Sequence, residues 1–474
     1  EFNCRMARLS KRFPIPANYL LDIGSFDKQY QFKGFKSQYR LFGDRSLIAG
    51  LLLFHAWHPV EENTMYRNKS IENRKLFDHY LWKFAREGDE PSPLPDNTRG
   101  RSLLFRKNAF VYNRQIAPFL GEVLYANEDE FDNIDEFAFF LKLNKINRVI
   151  FHNPYVNDRM LGFYSYCRNN NIDFFVAERG ALPGTVFYDP TGFLADSSSY
   201  DESRWLHPLN ADQRLSASKY INELKNSEEH LEKQGVRLNP DLLRRKIGLY
   251  NDEKLILVCL QRPGDTATRF FAGECGTYDD FLHAIKNLSE NMPSGYKLAV
   301  KKHPLEDSIL DTDGLDVSDI HINDLFQITD KLVVFNSGTG VNAIAWNIPT
   351  ILWGRAFYAN SKLNYTLSKG ESLVDVITME LSIDSDVALA FLYYLRFEFY
   401  SFGNFKTAER IMPNNTRITA TLDIEFVNFR FDGKTINIDA PAKPRHDWNT
   451  MFFDRYVGAF NAEKAALSRR DHIH

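Results

Sequence analysis

The sequence predicts an α/β protein of more than one domain, and three observations carry that expectation. Short apolar runs fit for burial on both faces of a sheet recur along the chain and end in polar or glycine-rich turns, KLVVF (Lys331 to Phe335) being the clearest. Stretches of helical period follow such turns, as between Tyr278 and Asn291. At 474 residues the chain exceeds one ordinary core, so two domains and an appendage are expected.

In the first half, SLIAGLLLFHAW, NRVIFHNP and IDFFVAERG read as strands, with a helix from about Val156 to Asn170 between the last two. PSPLPDNTRGR (Pro91 to Arg101) is a proline-broken loop whose Arg99 and Arg101 face either a cleft or water. TVFYD and FLADSS read as a hairpin around Pro190, Thr191 and Gly192, and Ala211 to Gln234 as a charged amphipathic helix. Around Gly235 to Asp252 the chain becomes a polar hinge. The boundaries follow: an N-terminal Rossmann-like domain over 1–240, a second over 247–403 and an extension over 404–474.

From Lys254 the order is strand, QRPGD turn, helix, strand YKLAVK, HP turn, short helix, strand KLVVF, SGTG turn, helix and strand TILW. That is the plan of a nucleotide-binding half. Asp384 to Phe402 reads as an aromatic helix. TRITATLDIEFVNFRFDGKTINI then alternates as strands around a turn at Asp432 and Gly433, a small C-terminal β appendage.

Two strand ends point to an anion. After KLVVF, a helix starting near Gly340 would aim its free N–H groups and the Ser337 and Thr339 hydroxyls at one spot, while Gly338 and Gly340 let the backbone approach a ligand. After YKLAVK come Lys301, Lys302 and His303, followed by Pro304. Two such ends in one parallel sheet can converge on one ligand at its carboxyl edge. The same strand–turn–helix grammar also occurs in α/β domains that bind nothing, and His303 alone fits a structural role equally well.

Composition narrows the ligand. A formal net charge of -4 argues against a nucleic-acid protein held by phosphate neutralisation, so a small ligand is expected. Cys4, Cys167, Cys259 and Cys275 lie far apart without CxxC spacing; Cys259 reads as a buried free thiol, and no disulfide framework or zinc site is expected. His55 and His58 in FHAWHP lack a carboxylate or cysteine partner in any metal arrangement and read as aromatic packing. With no run of about eighteen apolar residues and no apolar signal core, the expected compartment is the cytoplasm. The basic start, with Arg5, Arg8, Lys11 and Arg12, fits a solvated terminus or contact with the inner face of the membrane.

The turn with Gly264 and Asp265, the His303–Pro304 pair, the Ser337–Gly340 turn and a following Ile348–Pro349, preceded in the other half by Glu178–Arg179–Gly180 and FYDPTG, resemble the bacterial capsule polysaccharide biosynthesis family. The resemblance spans roughly Phe151 to Phe402 and rests on motif order and spacing. It implies a GT-B type fold, two Rossmann-like domains facing a cleft, and the activity of a retaining β-Kdo glycosyltransferase. It also implies a CMP-Kdo donor, a glycan acceptor and no metal or other cofactor.

By the same resemblance the family's nucleophile falls on Asp265. Retention is explained by two displacements, which need a carboxylate to form a covalent glycosyl adduct; capping the next helix is the competing task for Asp265. His303, Ser337 and the turn's N–H groups would stabilise the departing phosphate. Glu178 is the implied base for the acceptor hydroxyl, and a salt bridge with Arg179 competes for it. Arg179 stands where many members carry Asp. Kdo's own carboxylate asks for a cation, with Arg262, Arg269 and Lys302 as candidates by position. His152 and Asn153, following a first-domain strand, are candidate acceptor contacts. Another CMP- or CDP-dependent transfer, of a sialyl or glycerophosphate group, is the first alternative, and a non-catalytic glycan-binding module is the second. A lipid-linked acceptor and further domains of a larger glycan-synthesis protein are open partners.

Overall fold

The structure, a computed structural model, describes residues 100–105, 110–112, 116, 119–227, 237–305, 312–411, 417–431 and 433–437. The basic start, the strand bearing His55 and His58, the loop from Pro91 to Arg99, Gly235 at the head of the expected hinge and Asp432 of the Asp–Gly turn lie outside the described residues.

Two compact units separate. In the first, β1 (Arg101–Leu104) and β2 (Glu122–Tyr125) pair in parallel, and the buried Ser102 hydroxyl donates to the Leu120 carbonyl at 2.6 Å. The second unit spans residues 131–438 with 105–113 and holds two sheets.

One of these sheets starts from β3 (Arg148–Phe151), β4 (Asp173–Arg179) and β5 (Thr185–Asp189). β3 and β4 run parallel because the helix Asp158–Asn169 crosses between them, its start capped by the Asn157 side chain on the Met160 N–H. Beneath it Phe105, Phe137, Phe151 and Phe163 pack ring on ring, with Phe137 and Phe163 stacked at 4.4 Å. β5 turns back antiparallel to β4, Val176 opposite Asp189.

The hairpin expected around Pro190 to Gly192 therefore lies one step earlier, between β4 and β5. FLADSS forms two short 3-10 turns instead of a strand. The cause is Asp189. Its buried carboxylate accepts from the Thr191 and Gly192 N–H groups and from the Thr191, Ser197 and Ser199 hydroxyls, which curls the chain around it. Burial holds its pKa above the ordinary carboxylate value.

The second sheet is wholly parallel. Its strands are β6 (Lys254–Cys259), β7 (Tyr296–Lys301), β8 (Leu315–Asp316), β9 (Lys331–Val334), β10 (Thr350–Leu352) and β11 (Asn364–Thr366), in the order β11-β10-β9-β6-β7-β8. The chain steps from β6 to β7 on one side and later returns to lay β9 on the other. The carboxyl ends of β6 and β9 thus form a topological switch point, the crevice where α/β sheets bind ligands. The helix Tyr278–Glu290, closed at its start by a Thr277–Asp280 capping box, packs Phe281, Ile285 and Leu288 onto Ile256, Val258, Val300 and Val333.

Two expectations change. The polar hinge contains the helix Pro240–Ile247, with Pro at its first turn, Asn239 as cap and Gly248 at φ 63 closing it. The aromatic helix runs over Ser385–Tyr393 and widens into a π-type turn at Tyr394–Phe399 before the chain extends. β12 (Ser401–Ile411) then pairs antiparallel with β5, and β13 (Arg417–Phe431) and β14 (Lys434–Asn437) follow by hairpins. The β-rich tail is continuous with the first half's sheet, which is mixed. Among the described residues no helix is long and apolar enough to cross a membrane.

Candidate functional site at the sheet switch point

The turn after β6 carries Gln261 to Asp265. Thr268, buried behind it, sends its hydroxyl to the Asp265 carbonyl at 2.7 Å and lies 3.0 Å from the Arg262 and Pro263 carbonyls. The helix Thr266–Phe270 starts directly after Asp265, whose extended backbone (φ -69, ψ 146) has N-cap geometry. Yet its carboxylate makes no capping hydrogen bond. The competing task is thus not performed by the side chain. A Cβ on Gly264 would meet nothing within 4 Å, so the turn is open beside Asp265.

The turn after β9 folds on itself. The Ser337 hydroxyl meets Thr339 Oγ1 at 3.0 Å and accepts the Thr339 N–H at 3.2 Å, and the helix Thr339–Ala345 follows. Tyr358 explains the second glycine: its hydroxyl donates to the Ser337 carbonyl at 2.5 Å, and a Cβ on Gly340 would fall 2.1 Å from that oxygen. Gly338 faces the other half, its Cβ position 3.4 Å from that of Ala181.

A buried amide pair, absent from the sequence-based expectations, locks these turns together. Gln261 Nε2 donates to Asn336 Oδ1 and the Asn336 N–H to Gln261 Oε1, both at 3.0 Å. Asn336 Nδ2 also donates to the Ala267 and Phe271 carbonyls. The available signal was position, since each amide stands just past an apolar strand of the same sheet.

The first half supplies the facing wall. The Asn153 side chain donates to Thr266 Oγ1 at 2.7 Å, next to Asp265, from a left-handed backbone at φ 45 that Asn tolerates. His152 Nδ1 lies 2.9 Å from the Ala177 carbonyl, which can only accept, so Nδ1 carries a proton. The same nitrogen is 3.5 Å from Glu178 Oε2, and the His152 ring stacks on Phe110. Glu178 also accepts the Arg179 N–H at 2.9 Å. The competing Glu178–Arg179 salt bridge does not form: the guanidinium turns to Thr421 Oγ1 at 3.3 Å and over the Phe405 ring. Alternation along β4 puts the two side chains on opposite faces.

A cleft of about 190 Å³ lies beside these turns, lined by Arg179, Ala181, Gln261, Asn336, Gly338 and Arg355 among others, and Gly338 alone of the sequence-predicted site residues lines it. His303 stands past β7, beside the end of β6. Its Nδ1 accepts the Leu305 N–H at 3.1 Å, so the neutral ring keeps its proton on Nε2 as a donor. The lysines before it are committed elsewhere: Lys302 pairs with Asp316 at 2.8 Å, and the buried Lys301 ammonium donates to the Ser318 and Ile320 carbonyls. Arg262 is half-buried at the start of the β6 turn, while Arg269 is exposed and lies over Phe270. Among the described residues no cluster of three or more His, Cys, Asp or Glu could hold a metal.

Fold and site together define an α/β protein whose second half carries a wholly parallel, Rossmann-like sheet and whose two halves meet at a cleft beside its switch point. Residues 218–400, less than half of the chain, match the family model described as capsule polysaccharide biosynthesis protein, the family that the sequence motifs resemble. Among solved structures, the chain is similar to Thermosulfurimonas dismutans KpsC, beta Kdo 2,7 transferase, at 17% identity and TM-score 0.44, covering 68% of this chain and 95% of that one. It is also similar to the beta Kdo 2,4 transferase of KpsC from the same organism (14%, TM-score 0.44, 64% and 92%). A third likeness is to the Methanocaldococcus jannaschii UDP-GlcNAc 2-epimerase (8%, TM-score 0.28, 62% and 98%). No curated protein sequence matches the chain.

Proposed function

We propose that the chain is a glycosyltransferase of bacterial surface polysaccharide synthesis that moves Kdo from CMP-Kdo to a glycan acceptor with retention of configuration. The observation that carries this reading is Asp265: a carboxylate at a switch-point strand end, in N-cap geometry without capping, its backbone carbonyl held by the Thr268 hydroxyl, on the strand next to the one that ends in the Ser337–Thr339 turn. The family match over 218–400 supports the same class. On this reading 1–240 is the acceptor side and 247–403 the nucleotide domain.

In the first displacement an Asp265 carboxylate oxygen attacks the anomeric carbon. The bond from that carbon to the CMP phosphate oxygen breaks, and its electron pair leaves with the phosphate. His303 Nε2–H and the Ser337 and Thr339 hydroxyls donate to the oxygen that gains charge, which is stabilisation by preset dipoles, and the reading invokes no resident cofactor. In the second displacement the acceptor oxygen attacks the same carbon and Asp265 leaves as a carboxylate. The acceptor proton passes to Glu178, whose Oε2 lies 3.5 Å from His152 Nδ1. Lys302, neutralised by Asp316, drops out as a carboxylate partner.

Intact-mass spectrometry after incubation with CMP-Kdo tests the step. The expected result is a Kdo-sized addition mapping to Asp265. In Asp265→Asn the addition and the transfer are lost, the rate falling by roughly three orders of magnitude or more, while CMP still binds. Transfer at a near-normal rate by that variant would refute the nucleophile assignment.

A further inference from the structure

The cleft contains a guanidinium that the mechanism above does not use. Arg355 follows β10, its N–H donating to the Phe271 carbonyl at 2.9 Å and its guanidinium lying over the Phe271 ring. The side chain reaches the first half, where Nη2 meets Asp196 Oδ1 at 2.6 Å and the Ala195 carbonyl at 3.3 Å. The second Asp196 oxygen accepts the Tyr155 hydroxyl at 2.5 Å. Burial and that carboxylate together hold the phenol above its ordinary pKa, so it stays a donor. Leu194, which lines the same cleft, has a left-handed φ of 49, a costly conformation for a non-glycine residue, at the start of the turn that presents Asp196.

A guanidinium has five N–H donors. Nη2 serves Asp196 and Ala195, and among the described residues no hydrogen bond engages Nε or Nη1. The side chain is half exposed, at 51%, and lines the cleft with Gly338 and Asn336 of the β9 turn. Asp196 thus fixes one edge of the planar group and leaves the other toward the cleft. An arginine held in this way loses little rotamer freedom when a planar carboxylate arrives.

We propose that Arg355 binds the carboxylate of the acidic sugar, with Asp196 and Tyr155 as the residues that position it. This rests on the donor reading above and adds to it the residue that reads the sugar's charge. A lysine would replace it only in part, because one ammonium cannot bridge Asp196 and a carboxylate with the same planar fork.

Saturation-transfer NMR on the full chain with CMP present compares free Kdo with its methyl ester, which lacks only the negative charge. Wild type is expected to bind Kdo about tenfold or more tightly than the ester, the yield of a charge-assisted pair in a cleft. Arg355→Met removes that preference and leaves CMP affinity unchanged. Arg355→Lys retains part of it, and Asp196→Asn lowers it without touching CMP. A preference retained in Arg355→Met overturns the inference and leaves the donor reading intact. Equal binding of acid and ester by wild type, with CMP bound, also overturns it. Failure of wild type to bind CMP at all overturns both.

Discussion

Replacing Gln261 and Asn336, singly and together, probes what holds the two turns of the site in register. Both side chains are nearly inaccessible, at 8% and 6% exposure. Gln261→Ala leaves the Asn336 N–H and its Oδ1 without their partner, and orphaned buried groups cost about 1–3 kcal/mol each, so a loss of about 2–6 kcal/mol is expected. Asn336→Ala orphans Gln261 Nε2 and removes the bonds to the Ala267 and Phe271 carbonyls, again about 2–4 kcal/mol. In the double variant neither Asn336 Oδ1 nor Gln261 Nε2 remains to be orphaned, so the combined loss should fall short of the sum by about 2 kcal/mol or more. Urea unfolding of the four proteins, read as midpoint shifts at constant slope, measures this. Losses that add to within about 0.5 kcal/mol would refute the claim that the amides act as one lock.

Gly340→Ala should destabilise by about 1–3 kcal/mol, because the added carbon lands on the fully buried Tyr358 and forces it off the Ser337 carbonyl. A wild-type urea midpoint with unweakened CMP binding would contradict that. The thiols should separate by reactivity: burial pushes Cys167 and Cys259 up to about 12, whereas Cys275 is only partly covered. Thiolate is the reactive form, so iodoacetamide at mildly alkaline pH should label Cys275 well before Cys167 and Cys259, which react on unfolding; equal rates by peptide mass mapping would count against the packing described.

Much of the second sheet was legible in the sequence because its information is local. EKLILVCL, YKLAVK and KLVVF are apolar runs that suit only a sheet covered on both faces, and each became a strand within a residue or two of its expected limits. The turns at Asp265 and Ser337 were equally local, since glycine and hydroxyl residues after a strand announce a tight bend. The FLADSS strand failed because one buried carboxylate, Asp189, gathers five donors from the ten residues after it, which alternation cannot reveal. The hinge failed for the opposite reason: the caps at Asn239 and Gly248 were present, but the charge of DLLRRK hid an eight-residue helix.

By itself the sequence determined the α/β class, the parallel order of strand and turn in the second half and the residue types at each strand end. These depend on period and on turn chemistry, which act over a few neighbours. Only the tertiary structure decided which strand ends are adjacent, because β9 reaches β6 after the chain has already built β7 and β8. It alone joined the tail to β5, turned Lys302 to Asp316 and Arg179 to Thr421, and brought Arg355 to Asp196. Each of those outcomes pairs a charge or a strand edge with a partner far along the chain. Such partners are selected by burial and geometry once the halves have packed, and no local pattern records the choice.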